Sequence, residues 1–584
     1  MSAPIELKDC FKTYTLDQDK VYSPAETVAR VRGRFESSGL DVLRETTRID
    51  NGRMGIPVYV SVCGADALRV MPTKKQMGKG ATPEQAEASA VMELAERYSF
   101  FHYLRRTRFQ RASYEEVRDR ALPFEHLAAS VHHDPGDLDR ALDALRGLPL
   151  DWTPAYNLTR GREYLIPFSW FYEINQFNGP AAGNTMEEAV VQGLAEVVER
   201  HVSALVCRSR LLLPSIDPDS IRNPVGRELI EKFNRQGVNL YLKDFTLDMG
   251  LATVGAMAVD PETFPSLSEI VFTAGTATDP EKALIRALTE VAQLGGDFNT
   301  GARFEPSGLP KYARLEQAEY LTRSSASVPI GSLPDISHDN IRTEIETLVR
   351  ELARRGLEAY AVNITHPRLD VPAVYNIVPG AHFRERAVAS SVPFFAAKLL
   401  MAAGDFAAVF AGLGRLRALY PEAHYLHFFE GQALLDEGRP VESIELFEQA
   451  RRLDPPAEDL AGILTYLGLA YQQLEAFDRS IDVLERSAEV DDERRDTFNL
   501  LGFGYFKTKQ HEKAITAFER VLEIDPGSGI DHANIGTNYR ELGRYDQAVR
   551  YYRRALMLDP DLDWVRDNLD RLSPLVDGDE SGEP

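Results

Sequence analysis

The sequence predicts an α/β (α+β) domain over residues 1–388, an all-α solenoid of helical repeats over residues 389–575, and a short acidic tail over residues 576–584. Three observations carry this division. Up to residue 388, apolar runs of strand length ("GIPVYVSVC", "LIPFSWF", "TVGAMAV", "PAVYNIV") are interspersed with helical segments that open on capping residues. Beyond it, Gly468, Gly502 and Gly536 recur every 34 residues, as do Ala514 and Ala548, Pro526 and Pro560, and Pro421 and Pro455. Within the first domain, one turn-and-helix pattern is used three times. A chain of 584 residues also exceeds what one core organises, so size alone calls for more than one domain.

At the amino terminus, "MSAPIELKDC" lacks the charged-then-apolar pattern of a secretory leader. The most apolar stretch, "SVPFFAAKLLMAAGDF", is interrupted by Lys398 and Asp405, so a cytoplasmic protein with no membrane association is expected. The composition is 44% hydrophobic and 27% charged with a net charge of −23, which argues against a general binder of nucleic acid or anionic membrane. Cys10, Cys63 and Cys207 lie far apart with no CxxC spacing, so neither a disulfide framework nor a zinc site is indicated.

The first helix of the repeated pattern lies in "GKGATPEQAEASAVMELAERY" and the second in "AAGNTMEEAVVQGLAEVVERH". Each has a glycine, then a threonine, then a helix; Thr82 with Gln85 and Thr185 with Glu188 fit capping boxes, and Pro83 suits the first helical position. Seven residues after Ala86 or Ala189 stands Glu93 or Glu196, then Glu96 or Glu199, then Arg97 or Arg200. In the second helix, Glu188, Gln192, Glu196 and Glu199 fall within an arc of roughly 80°, while Val190, Leu194, Val197 and Val198 share the other side. The third copy, "TAGTATDPEKALIRALTEVAQ", keeps Ala283, Glu290 and Gln293 at the same offsets and puts Arg286 where the others have Ser89 and Gln192.

Like charges three or four residues apart repel unless screened, so such a face is either solvated or occupied by cations. Repetition favours occupation. Two helices carrying Glu-x-x-Glu can face each other and hold divalent cations, and hard oxygen ligands select Mg²⁺ over Zn²⁺. A di-iron site would use Glu-x-x-His, which neither helix has. Glycine-rich turns at helix starts present N–H groups to phosphate. Yet "GKG" at 78–80 is no P-loop, because Thr73 and Gly80 stand where glycine and Ser or Thr belong. Magnesium and phosphate, with Arg200 and Arg286 as charge partners, point to a nucleotide held by glutamates through its metals; acidic helix faces and another metal are the alternatives. In "RYSFFHYLRRTRF", the aromatics read as core at a helix C-terminus whose dipole favours the cations, and His102, His201 and His366 read as structural.

On these residues the first domain resembles the YcaO family, over about residues 15–385, in "KVYSPAETVAR", the three helical motifs and the closing "THPRLDVPAVYNIVPG". The resemblance implies a YcaO-type fold, with ATP bound between helices, and activation of a peptide backbone amide. It implies that Glu93, Glu96, Glu196 and Glu199 hold Mg²⁺ on the triphosphate with Glu188 assisting, and that Ser89, Asn184, Gln192, Arg200 and Arg286 contact nucleotide, as do Lys20 and Thr27. A nucleophile attacks the amide carbon and ATP phosphorylates the amide oxygen. The nucleophile is a Cys, Ser or Thr side chain for cyclodehydration and a sulfide for thioamidation; no general base can be named. Azoline-forming members often end in a proline-rich tail, whereas this chain continues into repeats and ends "DGDESGEP", which counts against azoline formation. Relatives with carboxyl-terminal repeats include an accessory factor for ribosomal protein S12 methylthiolation, so that role is an alternative.

The repeats resemble tetratricopeptide repeats, best in "NIGTNYRELGRYDQAVRYYRRALMLDP", with about four full units and a weaker one before them. Such pairs stack into a superhelix whose groove docks a peptide or protein substrate or partner; self-association, as in a homodimer, and intramolecular bracing are the alternatives. Two classes follow: an ATP-consuming amide-modifying enzyme, or a non-catalytic adaptor whose docking is regulated by nucleotide.

Overall fold

The computed structural model describes residues 5–265, 268–296, 298, 312, 314–383, 391–402, 404–525 and 527–577. Its contacts divide the chain into two compact units, Met1–Val392 and Pro393–Pro584. The expected boundary at residue 388 and Pro526 fall outside the described residues, as does most of the expected tail. The first two tail residues, Val576 and Asp577, instead complete the helix Asp563–Asp577, because Val576 packs on the last repeat's core.

Among its described residues the first unit holds three sheets. In each, the strand at one end leads into one of the three patterned helices. Lys75–Lys79 ends a three-stranded antiparallel sheet and precedes the helix Pro83–Arg106. Pro180–Ala182 ends the sheet whose middle is Leu150–Asn157, Tyr360–Asn363 and Ala373–Ile377, and precedes Met186–Ser209. Val271–Ala277 ends a five-stranded sheet and precedes Pro280–Leu294. Three edge strands, each followed by a helix, therefore form three equivalent units.

Small residues let each helix lie against its own strand. A Cβ on Gly78 would come within 2.0 Å of the Ala90 nitrogen, and one on Gly275 within 2.4 Å of the Ala287 nitrogen. In the second unit the glycine is on the helix, where a Cβ on Gly193 would sit 3.0 Å from that of Ala181. Below this seam lie buried apolar anchors, including Val190, Leu194, Val197 and Val198. Two sequence expectations change here. "LIPFSWF" is half strand, because Arg162–Pro167 ends at Pro167 and Phe168–Asn175 continues as a helix burying Phe168, Trp170 and Phe171. The capping boxes are half formed: Thr82 and Thr185 hydroxyls accept from Gln85 N and Glu188 N, but the Glu188 carboxylate accepts from Asn184 N (2.9 Å) and Val21 N (2.6 Å) instead.

The second unit is a run of helices. Four pairs run from His424–Asp436 with Pro440–Arg452 to Gly529–Glu541 with Tyr545–Leu558. The recurring glycine has a steric cause. Gly431, Gly468, Gly502 and Gly536 each face the residue sixteen positions on, and a Cβ would approach Phe447, Leu484, Phe518 or Tyr552 to between 2.5 and 2.8 Å. No described helix is long and apolar enough to cross a membrane.

Candidate nucleotide and metal site

Every residue expected to contact nucleotide or metal lines one cavity of about 830 Å³ in the first unit: Lys20, Thr27, Ser89, Asn184, Glu188, Gln192, Arg200 and Arg286, together with Glu93, Glu96, Glu196 and Glu199. The first helix contributes Ser89, Glu93 and Glu96, the second Glu188 to Arg200, the third Arg286 and Glu290. Sequence reading did not assign Lys79, Arg97, Glu290 or Gln293 to the site. Glu290 and Gln293 were detectable from their offsets in the third copy. Lys79 carries no such signal, since the rejected P-loop reading was the only reason to notice it.

The carboxylates and cations are interleaved at long range. Arg97 Nε stands 3.8 Å from Glu93 and 3.5 Å from Glu96; Arg200 Nη2 stands 3.8 Å from Glu196 and 3.9 Å from Glu290. Arg286 Nη2 is 3.7 Å from Glu199 Oε2, which accepts from Thr276 N at 2.9 Å. Lys79 and Glu290 touch more closely, at 2.5 Å. Burial and the surrounding carboxylates push the Glu93 carboxyl up and carry that of Glu96 up to about 8. Burial raises the Glu199 carboxyl, whereas for Glu290 the pull of Lys79 and Arg200 overcomes burial and lowers it. The site therefore holds more carboxylate than its cations neutralise, the condition that an entering cation relieves.

Mg²⁺ and a polyphosphate fit this donor set. Arg286 Nε is buried with no hydrogen-bond partner among the described residues, an N–H left for an anion. Among the described residues no three His, Cys, Asp or Glu side chains close into a cage by themselves. Mg²⁺ is usually held by one or two carboxylates together with phosphate oxygens. Glu188 is fully buried and committed to Asn184 and Val21, and Asn184 Nδ2 reaches Thr27 Oγ1 at 3.1 Å. It joins the amino-terminal segment to the second helix.

The remaining sequence candidates lie elsewhere. Cys10 and Cys63 are buried thiols whose burial pushes ionisation up, unsuited to a nucleophile. Tyr98, Phe100, Phe101 and Tyr103 are core side chains. His366 packs on His102 with ring centroids 4.1 Å apart, and burial brings its pKa down to about 4, so it is a neutral structural residue.

Three sheet-ending strand–helix units line a polar, carboxylate-rich cavity, and a unit of paired helices follows them in the chain. Residues 77–382, more than half of the chain, match the family model described as "YcaO cyclodehydratase", ATP- and Mg²⁺-binding, and the chain belongs to the YcaO family. Residues 396–458 and 493–560 match tetratricopeptide repeat models. An uncharacterized protein of Methanothermobacter thermautotrophicus is 32% identical over 383 residues, covering 61% of this chain and 93% of that one. The Escherichia coli protein named ribosomal protein S12 methylthiotransferase accessory factor YcaO is 27% identical over 273 residues, 41% of this chain but only 44% of that one. A solved heterocyclase in complex with substrate and cofactor shares the fold, with a TM-score of 0.54 at 24% identity over 65% of this chain and 55% of that one.

Proposed function

We propose that this protein uses Mg-ATP to activate a backbone amide of a peptide or protein, by O-phosphorylation in support of thioamidation, cyclodehydration or a related change, with the repeats docking substrate or partner. The observation that carries this reading is the convergence of three helices' carboxylates and arginines on one cavity. In this proposal Glu93, Glu96, Glu196 and Glu199 hold Mg²⁺. Arg200 and Arg286 bind the phosphates, Arg286 through the N–H left without a partner. Ser89, Asn184, Gln192, Lys20 and Thr27 orient the nucleotide, and Glu188 fixes Asn184. Bound Mg-ATP supplies a phosphoryl group that turns an amide oxygen into a leaving group. The chain's own cations oppose the negative charge that gathers during such a transfer. Lys79, paired with Glu290 at 2.5 Å, adds a further cation to the wall that faces the phosphates.

Mass spectrometry of proteins from cells with and without this chain tests the reaction. Loss of one water from a peptide indicates cyclodehydration, and the gain from sulfur replacing oxygen indicates thioamidation. Absence of any mass change, together with nucleotide binding, would leave the reading of a nucleotide-regulated adaptor. The likeness to the S12 methylthiotransferase accessory factor favours one further reading, in which the chain serves another enzyme. There the affected protein is ribosomal protein S12.

A further inference from the structure

The amino-terminal segment carries Lys20 and Thr27 to the cavity but belongs to none of the three helical units. A buried chain of charges spans it. Lys12 Nζ contacts Glu344 Oε1 at 2.6 Å and Asp19 Oδ2 at 2.9 Å, and the other oxygen of Asp19 accepts from Lys282. All four side chains are at most 12% exposed. Glu344 is satisfied further by Thr278 Oγ1 at 2.8 Å and His338 N at 3.0 Å. Asp279 Oδ2 stands 3.9 Å from Lys282 Nζ and is 28% exposed, so the buried part of the network pairs two cations with two carboxylates and a third carboxylate lies at its rim.

Its position is what matters. Lys282 lies one and two turns before Arg286 and Glu290 on the third helix, and Asp19 is the residue next to Lys20. On the other side, the Val21 N–H is held by Glu188 of the second helix. The short stretch from Asp19 to Val21 is thus bonded to two helices that wall the cavity, with Lys20 between the bonds. We propose that Asp19 and Lys282 are positioning residues: their buried bridge fixes the reach of Lys20 over the nucleotide and ties it to the helix carrying Arg286. This rests on the proposed role of Lys20 as a nucleotide contact.

The test is a double-mutant cycle in the full-length chain, read as the affinity for the non-transferring analogue Mg-AMPPCP by calorimetry. Asp19→Asn with Lys282→Met removes the bridge and leaves Lys12 and Glu344 paired, which avoids stranding one buried charge. In the otherwise native chain this pair is expected to weaken binding about tenfold, the equivalent of about 1.4 kcal/mol. In a Lys20→Met background it should weaken binding less than twofold, because the residue it positions is gone. Asp19→Glu, which keeps the charge, should recover most of the affinity. Equal losses in both backgrounds, or no loss in either, would overturn the inference. Should Lys20→Met alone bind as the native protein does, the contact assigned to Lys20 fails and the inference falls with it; Glu196→Gln then reports separately whether the site itself stands. A thermal-melting comparison of all variants excludes unfolding as the cause.

Discussion

Glu96 is the residue whose chemistry depends most on what the cavity holds. Burial, Glu93 and Glu196 carry its carboxyl up to about 8, so in the metal-free protein it keeps its proton where an exposed glutamate has lost it. The folded state then binds more protons than the unfolded chain between the ordinary carboxylate range and about pH 8, and its contribution to stability falls as pH rises through that window. Glu96→Gln should therefore raise the metal-free melting temperature by about 1–3 °C at pH 8 and by less at pH 5, measured by scanning calorimetry. The same variant, and Glu93→Gln or Glu196→Gln, should lose Mg-ATP affinity at least tenfold. Unchanged affinity in all three would remove them from the site. Arg286→Lys keeps a charge but replaces a planar fork by a point charge, so ATP turnover should fall about tenfold or more. Native turnover would make Arg286 a structural partner of Glu199.

At the scale of elements, the strand–helix unit is the object that the sequence repeats, and its tightest point is the strand glycine. A side chain at Gly78 would meet helix backbone, which cannot rotate away as a side chain can. Gly78→Ala is expected to cost about 1–3 kcal/mol or more and to lower both melting temperature and Mg-ATP affinity, because the helix it displaces carries Glu93 and Glu96. Gly237→Ala provides the contrast, with a φ of 72° but open space around its Cβ; it should lose stability and keep affinity. Equal affinity losses in both would mean that the unit's spacing does not set the site. The repeat glycines obey the same logic in the second unit, where each makes room for the large side chain sixteen residues on.

For the whole molecule, the proposed division of labour assigns nucleotide to the first unit and docking to the second. Phe503 is 43% exposed on Arg495–Lys507, with Lys507 Nζ over its ring at 5.2 Å. Phe503→Ala with Lys507→Glu in the full chain should leave Mg-ATP affinity within twofold of native and reduce modification of the full-length partner in complemented cells, measured by mass spectrometry. Undiminished modification would assign this face of the repeats to another role.

What the sequence by itself determined is whatever local periodicity fixes: the repeat spacing, the capped helices, and which glutamates share a helix face. Those are consequences of a 3.6-residue turn and of steric room for glycine, both of which act over short separations. Periodicity also named Glu93, Glu96, Glu196 and Glu199 without saying how far apart they would stand. Tertiary structure alone decided that three helices face one cavity, that Lys79 reaches Glu290 from 211 residues away, and that Glu188 turns from its own cap to Val21. It also converted "LIPFSWF" from one strand to a strand and a helix. For Lys79 and Glu188 the physical reason is the same. A buried charge takes the partner that packing brings to it, and the chain between the two carries no record of that meeting in its local pattern.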